Sequence, residues 1–161
     1  MGSMRNGQGD EFFALFNRHG VFIKGFDHES AVASLRLPSE QFYRDLPDQF
    51  SGCSSEPAFS PELVTFCIWC LCEGSGWSGA KVALPPSEDA DGSANLLAIL
   101  DGSPETYLTW ATEYHECQLS APAVVALYEH RALTDEIVAA LNPKCSLTSL
   151  CKDIAEIGYL T

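Results

Sequence analysis

The chain has 161 residues, 46% of them hydrophobic and 19% charged, the composition of a folded domain and not of a disordered tail. It carries 22 Asp and Glu against 9 Lys and Arg, a net charge of −13 at pH 7. A field of that sign repels phosphate backbones and anionic lipid, which argues against nucleic acid and membrane surfaces as partners and favours rapid association with basic proteins.

Met1-Gly2-Ser3-Met4 reads as a vector-derived scar ahead of one globular domain over residues 5–161. The start lacks the basic and apolar pattern of a leader, and no apolar run is long enough to span a bilayer. Seven Cys, an odd number, then read as free thiols in a reducing cytoplasm.

Taken in chain order, Asp10 to His19 places Phe12, Phe13, Leu15 and Phe16 within two turns, which predicts an amphipathic helix closed by Gly20. Residues 21–26 read as a short strand or an extended link. Helical turns follow from Glu29 and from Pro38, the second with Phe42, Tyr43 and Leu46 as its apolar face. Ser60-Pro61-Glu62 has the chemistry of a helix start: a capping hydroxyl, Pro at the first position and an acid at the positive end of the dipole. It predicts a buried central helix over residues 62–72. Val64, Thr65, Phe66, Ile68 and Trp69 would equally suit a strand, and the cap decides for helix. Residues 74–91 are irregular, with a short strand at 80–84. Further helices are expected from Asn95 to Leu100, from Ser103-Pro104-Glu105 to Cys117, after Ser120, after Thr134 and after Ser146.

The predicted fold is thus mainly α: seven or eight short helices around the 62–72 helix, with room for a minor β-hairpin and an α+β fold as the alternative. The expected core is Phe12, Phe16, Leu63, Phe66, Cys67, Trp69, Cys70, Leu97, Leu100, Tyr107, Trp110, Leu127, Ile137, Leu150 and Ile154.

Four constellations bear on chemistry. Gly74-Ser75-Gly76-Trp77-Ser78-Gly79 matches the dinucleotide-binding G-x-G-x-x-G pattern, but that site needs a helix directly after the glycines, and Pro85-Pro86 leaves no room for one. What remains is Trp77, a large aromatic on a Gly-rich loop, of the kind that makes contacts at interfaces. Cys67, Cys70 and Cys72 lie in an apolar run without a second ligand pair, so they read as packing groups; no metal and no cofactor is expected. His115 and Cys117, two apart on one helix, cannot pair locally as base and nucleophile. Glu88, Asp89 and Asp91 do not fit a calcium loop, whose sixth position must be Gly and twelfth Glu. With Asp101 and Glu105 they form the densest acidic stretch of the chain.

The function expected from these features is non-catalytic. The chain is read as a small acidic cytoplasmic protein-binding module, a monomer or homodimer, that neutralises, escorts or regulates a basic partner. Its contacts would come from Trp77, Glu88, Asp89, Asp91, Asp101 and Glu105. Immunity proteins and secretion chaperones are of this physical type, an analogy of size and charge. The alternatives are an enzyme with a Cys/His/carboxylate site assembled by folding, and a small-molecule or metal sensor.

Overall fold

The computed structural model describes residues 1–74 and 76–159. It is an α+β fold, which corrects the mainly α bundle expected from the sequence. Contacts gather into two compact units, Met1–Leu97 and Ala98–Thr161.

The first unit is built on a five-stranded antiparallel sheet whose spatial order follows the chain. Its strands are β1 (Gly2–Arg5), β2 (Glu11–Asn17), β3 (Gly20–Phe26), β4 (Phe66–Leu71) and β5 (Trp77–Gly79). Two expected helices are strands. The Asp10–His19 segment forms β2, where successive side chains alternate between faces: Phe13 and Leu15 on one, Phe12, Ala14 and Phe16 on the other. Its four leading residues, Glu11 to Ala14, are all buried. A strand covered on both faces is written as an unbroken apolar run, which by periodicity alone cannot be told from a helix. The expected central helix is β4, in register with β3 from Gly25↔Phe66 to Gly20↔Leu71. Its β-branched and aromatic residues prevail over the cap-like triplet before it. The 80–84 segment is not a strand; the last strand comes earlier, at β5. Gly2, Ser3 and Met4, read as a scar, pair with β2.

Helices α1 (Ala31–Leu35) and α2 (Glu40–Tyr43), two 3-10 helices at Asp48–Ser54 and Pro57–Phe59, and α3 (Ser93–Leu96) complete this unit. Phe13, Phe22, Cys67 and Trp69 of the sheet pack with Val32, Phe42, Phe50, Cys53 and Phe59. On the opposite face Phe12, Ala14, Ile23 and Phe66 pack with Leu96. Gly20 is required by close approach: its φ is +143°, and a Cβ there would sit 2.0 Å from the Cys70 carbonyl oxygen.

Lys24 lies at the centre of β3 with no exposed surface. Its ammonium donates to Glu11 Oε1 at 3.4 Å, to the Ser60 carbonyl at 3.0 Å and to the Leu63 carbonyl, and it lies 5.3 Å from the centre of the Phe13 ring. Burial pushes the Lys24 pKa down, against the pull of Glu11. Glu11 is shared with Arg5 at 3.2 Å. These bonds explain why Ser60-Pro61-Glu62 does not start a helix. Ser60 is left-handed, φ 46°, and closes a turn by accepting from the Leu63 amide at 2.9 Å, while its carbonyl also faces Lys24.

The second unit is helical: α4 (Pro104–His115), α5 (Ala121–Tyr128), α6 (Asp135–Leu141) and α7 (Leu147–Ile157). Three of the four caps predicted here form through the side chain, while Ser120 begins α5 without a side-chain capping bond. The Ser103, Thr134 and Ser146 side chains accept from the amides of Thr106, Ile137 and Ser149. Ala111, Val124, Ala126, Val138 and Ile154 are buried. Of the expected core residues, Phe16, Leu63 and Leu100 are exposed instead.

Removing one partner of a buried ion pair strands the other. Lys24→Ala is therefore expected to destabilise the first unit by about 3–5 kcal/mol in urea unfolding followed by far-UV circular dichroism. The double variant Lys24→Met/Glu11→Gln, which removes both charges and keeps the volume, is expected to lose less. Equal losses would show that the charge is not what matters at this site.

Candidate functional site

The pairing of β2, β3, β4 and β5 brings four side chains into one row across the sheet: Phe16 opposite Val21, Val21 opposite Cys70, and Cys70 opposite Trp77. Residues directly paired across antiparallel strands point to the same face. The next rows on that face hold buried Ala14, Ile23, Phe12 and Phe66. The outer row is bare by comparison: Phe16 is 61% exposed, Trp77 is 57% exposed, and Val21 and Cys70 are half-buried between them.

Among the described residues the row ends at a backbone edge with no further strand beyond it. β5 is the last strand of the sheet order. The Ala80 amide donates to the Cys67 carbonyl at 2.9 Å. Backbone groups alternate direction along a strand, so the amides and carbonyls of Trp77 and Gly79 face away from β4. An unpaired edge of this kind accepts an added strand, main chain to main chain. Beside it, Trp69, Leu71, Gly74, Gly76, Trp77 and Ser78 line an open cleft of about 300 Å³.

The glycine run that matched G-x-G-x-x-G connects β4 to β5. Its last three residues are strand, so no helix N-terminus follows to receive a pyrophosphate. Strand geometry also disperses the cysteines. A helix would set Cys67 and Cys70 on one face; in β4 they point to opposite faces, and Cys72 is exposed beyond the strand end. Burial raises the Cys67 thiol to about 12 and the Cys53 thiol to about 11, which leaves both protonated and unreactive at neutral pH. His115 ends α4 edge-on to Tyr114, with ring centroids 5.0 Å apart, and Cys117 is exposed beyond it.

Four of the five predicted acids prove to be occupied in local structure. Asp89 accepts from the Ala94 and Asn95 amides at 3.1 and 2.9 Å and Asp91 from the Ser93 amide at 2.9 Å, so both hold the start of α3. The turn they form is fixed to the sheet by buried Thr65, whose hydroxyl donates to the Asp91 carbonyl and accepts from the Asp27 amide. Asp101 accepts from the Ser103 amide and the Thr106 hydroxyl, both at 2.7 Å, and these bonds hold its carboxyl below the usual range. Glu105 accepts from the Ser103 hydroxyl. Glu88 is exposed. Trp77, Glu88, Asp89 and Asp91 belong to the first unit, Asp101 and Glu105 to the second.

One cluster has the makings of a cation site: Asp10, Asp27 and His28 each present a ligand atom within 4.8 Å of the others. Two of those groups already satisfy each other. His28 Nδ1 lies 2.6 Å from Asp10 Oδ1, which also accepts the His28 amide. The hydrogen bond to Asp10 raises the His28 pKa above its ordinary 6.5. Burial pushes the Asp10 carboxyl up, but the bonds from His28 and Asn6 outweigh it and hold it below 3.8. Sequence reading missed this pair because its partners lie 18 residues apart.

A raised histidine pKa contributes stability that is complete below the unfolded value and lost as pH rises through the folded one; a lowered carboxylate pKa contributes stability lost as pH falls through it. In an NMR titration, the His28 ring is expected to titrate above 6.5, and its midpoint to fall in Asp10→Asn, which removes the largest of the raising contacts but leaves Glu29 and Asp27. The thermal advantage of wild type over that variant is expected to fade as pH rises past the His28 midpoint. An unchanged midpoint in Asp10→Asn would show that the pair does not form. No protein-family model, curated protein or solved structure matches this chain.

Proposed function

We propose that the chain is a non-catalytic protein-binding module that captures a basic partner through the Phe16–Val21–Cys70–Trp77 row and the adjoining β5 edge. The observation that carries this reading is the pair of large aromatics, more than half exposed, on one cross-strand row beside an unpaired strand edge. Aromatic anchors of this kind dominate binding energy at interfaces, and an open edge adds directional main-chain bonds. The net charge of −13 supports a basic partner, whose approach it accelerates, over a second copy of an equally acidic chain. Among the described residues no helix is long and apolar enough to cross a membrane.

In this reading the acids supply the long-range field while the row supplies the contacts. Asp89, Asp91, Asp101 and Glu105 keep their local hydrogen bonds and still contribute charge. The module would act by covering a functional surface of the basic protein, as an inhibitor or escort does.

The test is affinity capture from a lysate of the source cells at physiological salt, with the tagged chain as bait. One basic protein is expected to be retained. Phe16→Ser/Trp77→Ser is expected to weaken its binding by about 2 kcal/mol or more, roughly thirtyfold. Leu35→Ser, which removes another exposed apolar side chain from α1, is expected to leave binding intact. No stoichiometric partner, or capture indifferent to the row, would overturn the proposal.

A further inference from the structure

The second unit carries its own exposed aromatic surface. Along α4, Trp110 and Tyr114 stack with ring centroids 5.0 Å apart and planes 14° from parallel. Tyr107 continues the ladder inward, 5.8 Å from Trp110 and 6.3 Å from Tyr128 of α5. Residues four apart on a helix share a face, which is why the spacing produces this stack. Tyr114 at its outer end is 52% exposed. His115 meets both rings edge-on and leaves their planes parallel.

The chain segment that carries this stack has Lys and Arg nowhere along it. Between Lys81 and Arg131 the chain has no Lys or Arg and eight Asp or Glu. Two of those acids, Glu105 and Glu113, lie on α4 itself, and Glu116 caps its C-terminal end. Glu113 lies one turn on from Trp110 and next to Tyr114. A flat π surface with carboxylates on the same helix, and with His115 at its edge as the helix's one basic side chain, is matched by a planar cation. Guanidinium stacks on aromatic faces, is weakly hydrated and remains charged at all working pH values; ammonium is compact and strongly hydrated.

The geometry points to the Trp110–Tyr114 stack as a docking site for an arginine side chain of the basic partner, with Glu113 as its counter-charge, an inference that rests on the basic-partner reading above. It assigns to α4 a contact that neither the Phe16–Trp77 row nor the capping acids supply. It also predicts a partner rich in arginine, not in lysine.

The experiment titrates hexa-arginine, hexa-lysine and hexa-citrulline peptides into the isotopically labelled full chain and follows the ring and indole signals of Tyr114 and Trp110 by NMR. Hexa-arginine is expected to shift these signals saturably and to bind more tightly than hexa-lysine, with hexa-citrulline inert. Tyr114→Leu, which keeps apolar area and removes the π face, is expected to weaken hexa-arginine binding roughly three- to tenfold, and Glu113→Gln to weaken it without altering the helix content seen by circular dichroism. Equal affinity for hexa-arginine and hexa-lysine, unmoved ring signals, or an indifferent Tyr114→Leu would overturn the inference. Capture of a basic partner that depends on Trp77 but not on Tyr114 would overturn it while leaving the proposed function standing. Failure of capture altogether would overturn that function first.

Discussion

An ammonium group wholly out of water must be met by acceptors, and in the first unit three groups meet it. Lys24 reaches from the central strand to Glu11 on β2 and to the Ser60 and Leu63 carbonyls ahead of β4. Two consequences follow from that single buried charge. The segment before β4 is drawn into a turn under the sheet, which orients Phe59 and Val64 into the core. The face carrying Phe13, Lys24 and Cys67 is also committed inward, because a one-residue slip of register would expose the lysine's partners and bury charge without acceptors.

With one face committed, the other decides what the molecule presents. Its inner rows close over Leu96, but the outer row does not, and Phe16 and Trp77 stand out beside an edge strand only three residues long. Natural sheets commonly protect edges with charge, proline or a short strand. Here the edge is short but bears a tryptophan, the residue most enriched where proteins dock. In the proposed function the acidic field and this uncharged row would divide the work between encounter and contact. Charge would set how often a basic partner arrives, and buried aromatic area how long it stays.

Much of the second unit was legible because its signals are local. Ser103, Thr134 and Ser146 announce helices by chemistry that acts within three residues, and each cap forms. The sheet was far less legible because strand pairing is a long-range fact. The Phe12–Phe16 run fits two turns of helix as well as both faces of a covered strand. Ser60-Pro61-Glu62 has every feature of a cap except a free Ser60 carbonyl, which Lys24 takes from 36 residues away. A lone lysine in an apolar β-prone segment was the available clue that residues 20–26 lie at a sheet centre. Trp77 was legible as an outlying aromatic on a glycine-rich loop. Phe16 was not, because its exposure depends on which strand lies opposite. The acids were legible as charge but not as caps, although Asp-Gly-Ser, at 91–93 and again at 101–103, is turn and helix-start chemistry.

The most direct measurement of the central claim is hydrogen–deuterium exchange on the chain alone and saturated with the basic protein that the capture experiment is expected to recover. The outward amides of Trp77 and Gly79 have no partner strand in the free sheet order and are expected to exchange quickly, then to become protected in the complex together with the β2–β3 turn next to Phe16. Protection confined to other surfaces, with the β5 edge exchanging as fast as before, would contradict the account.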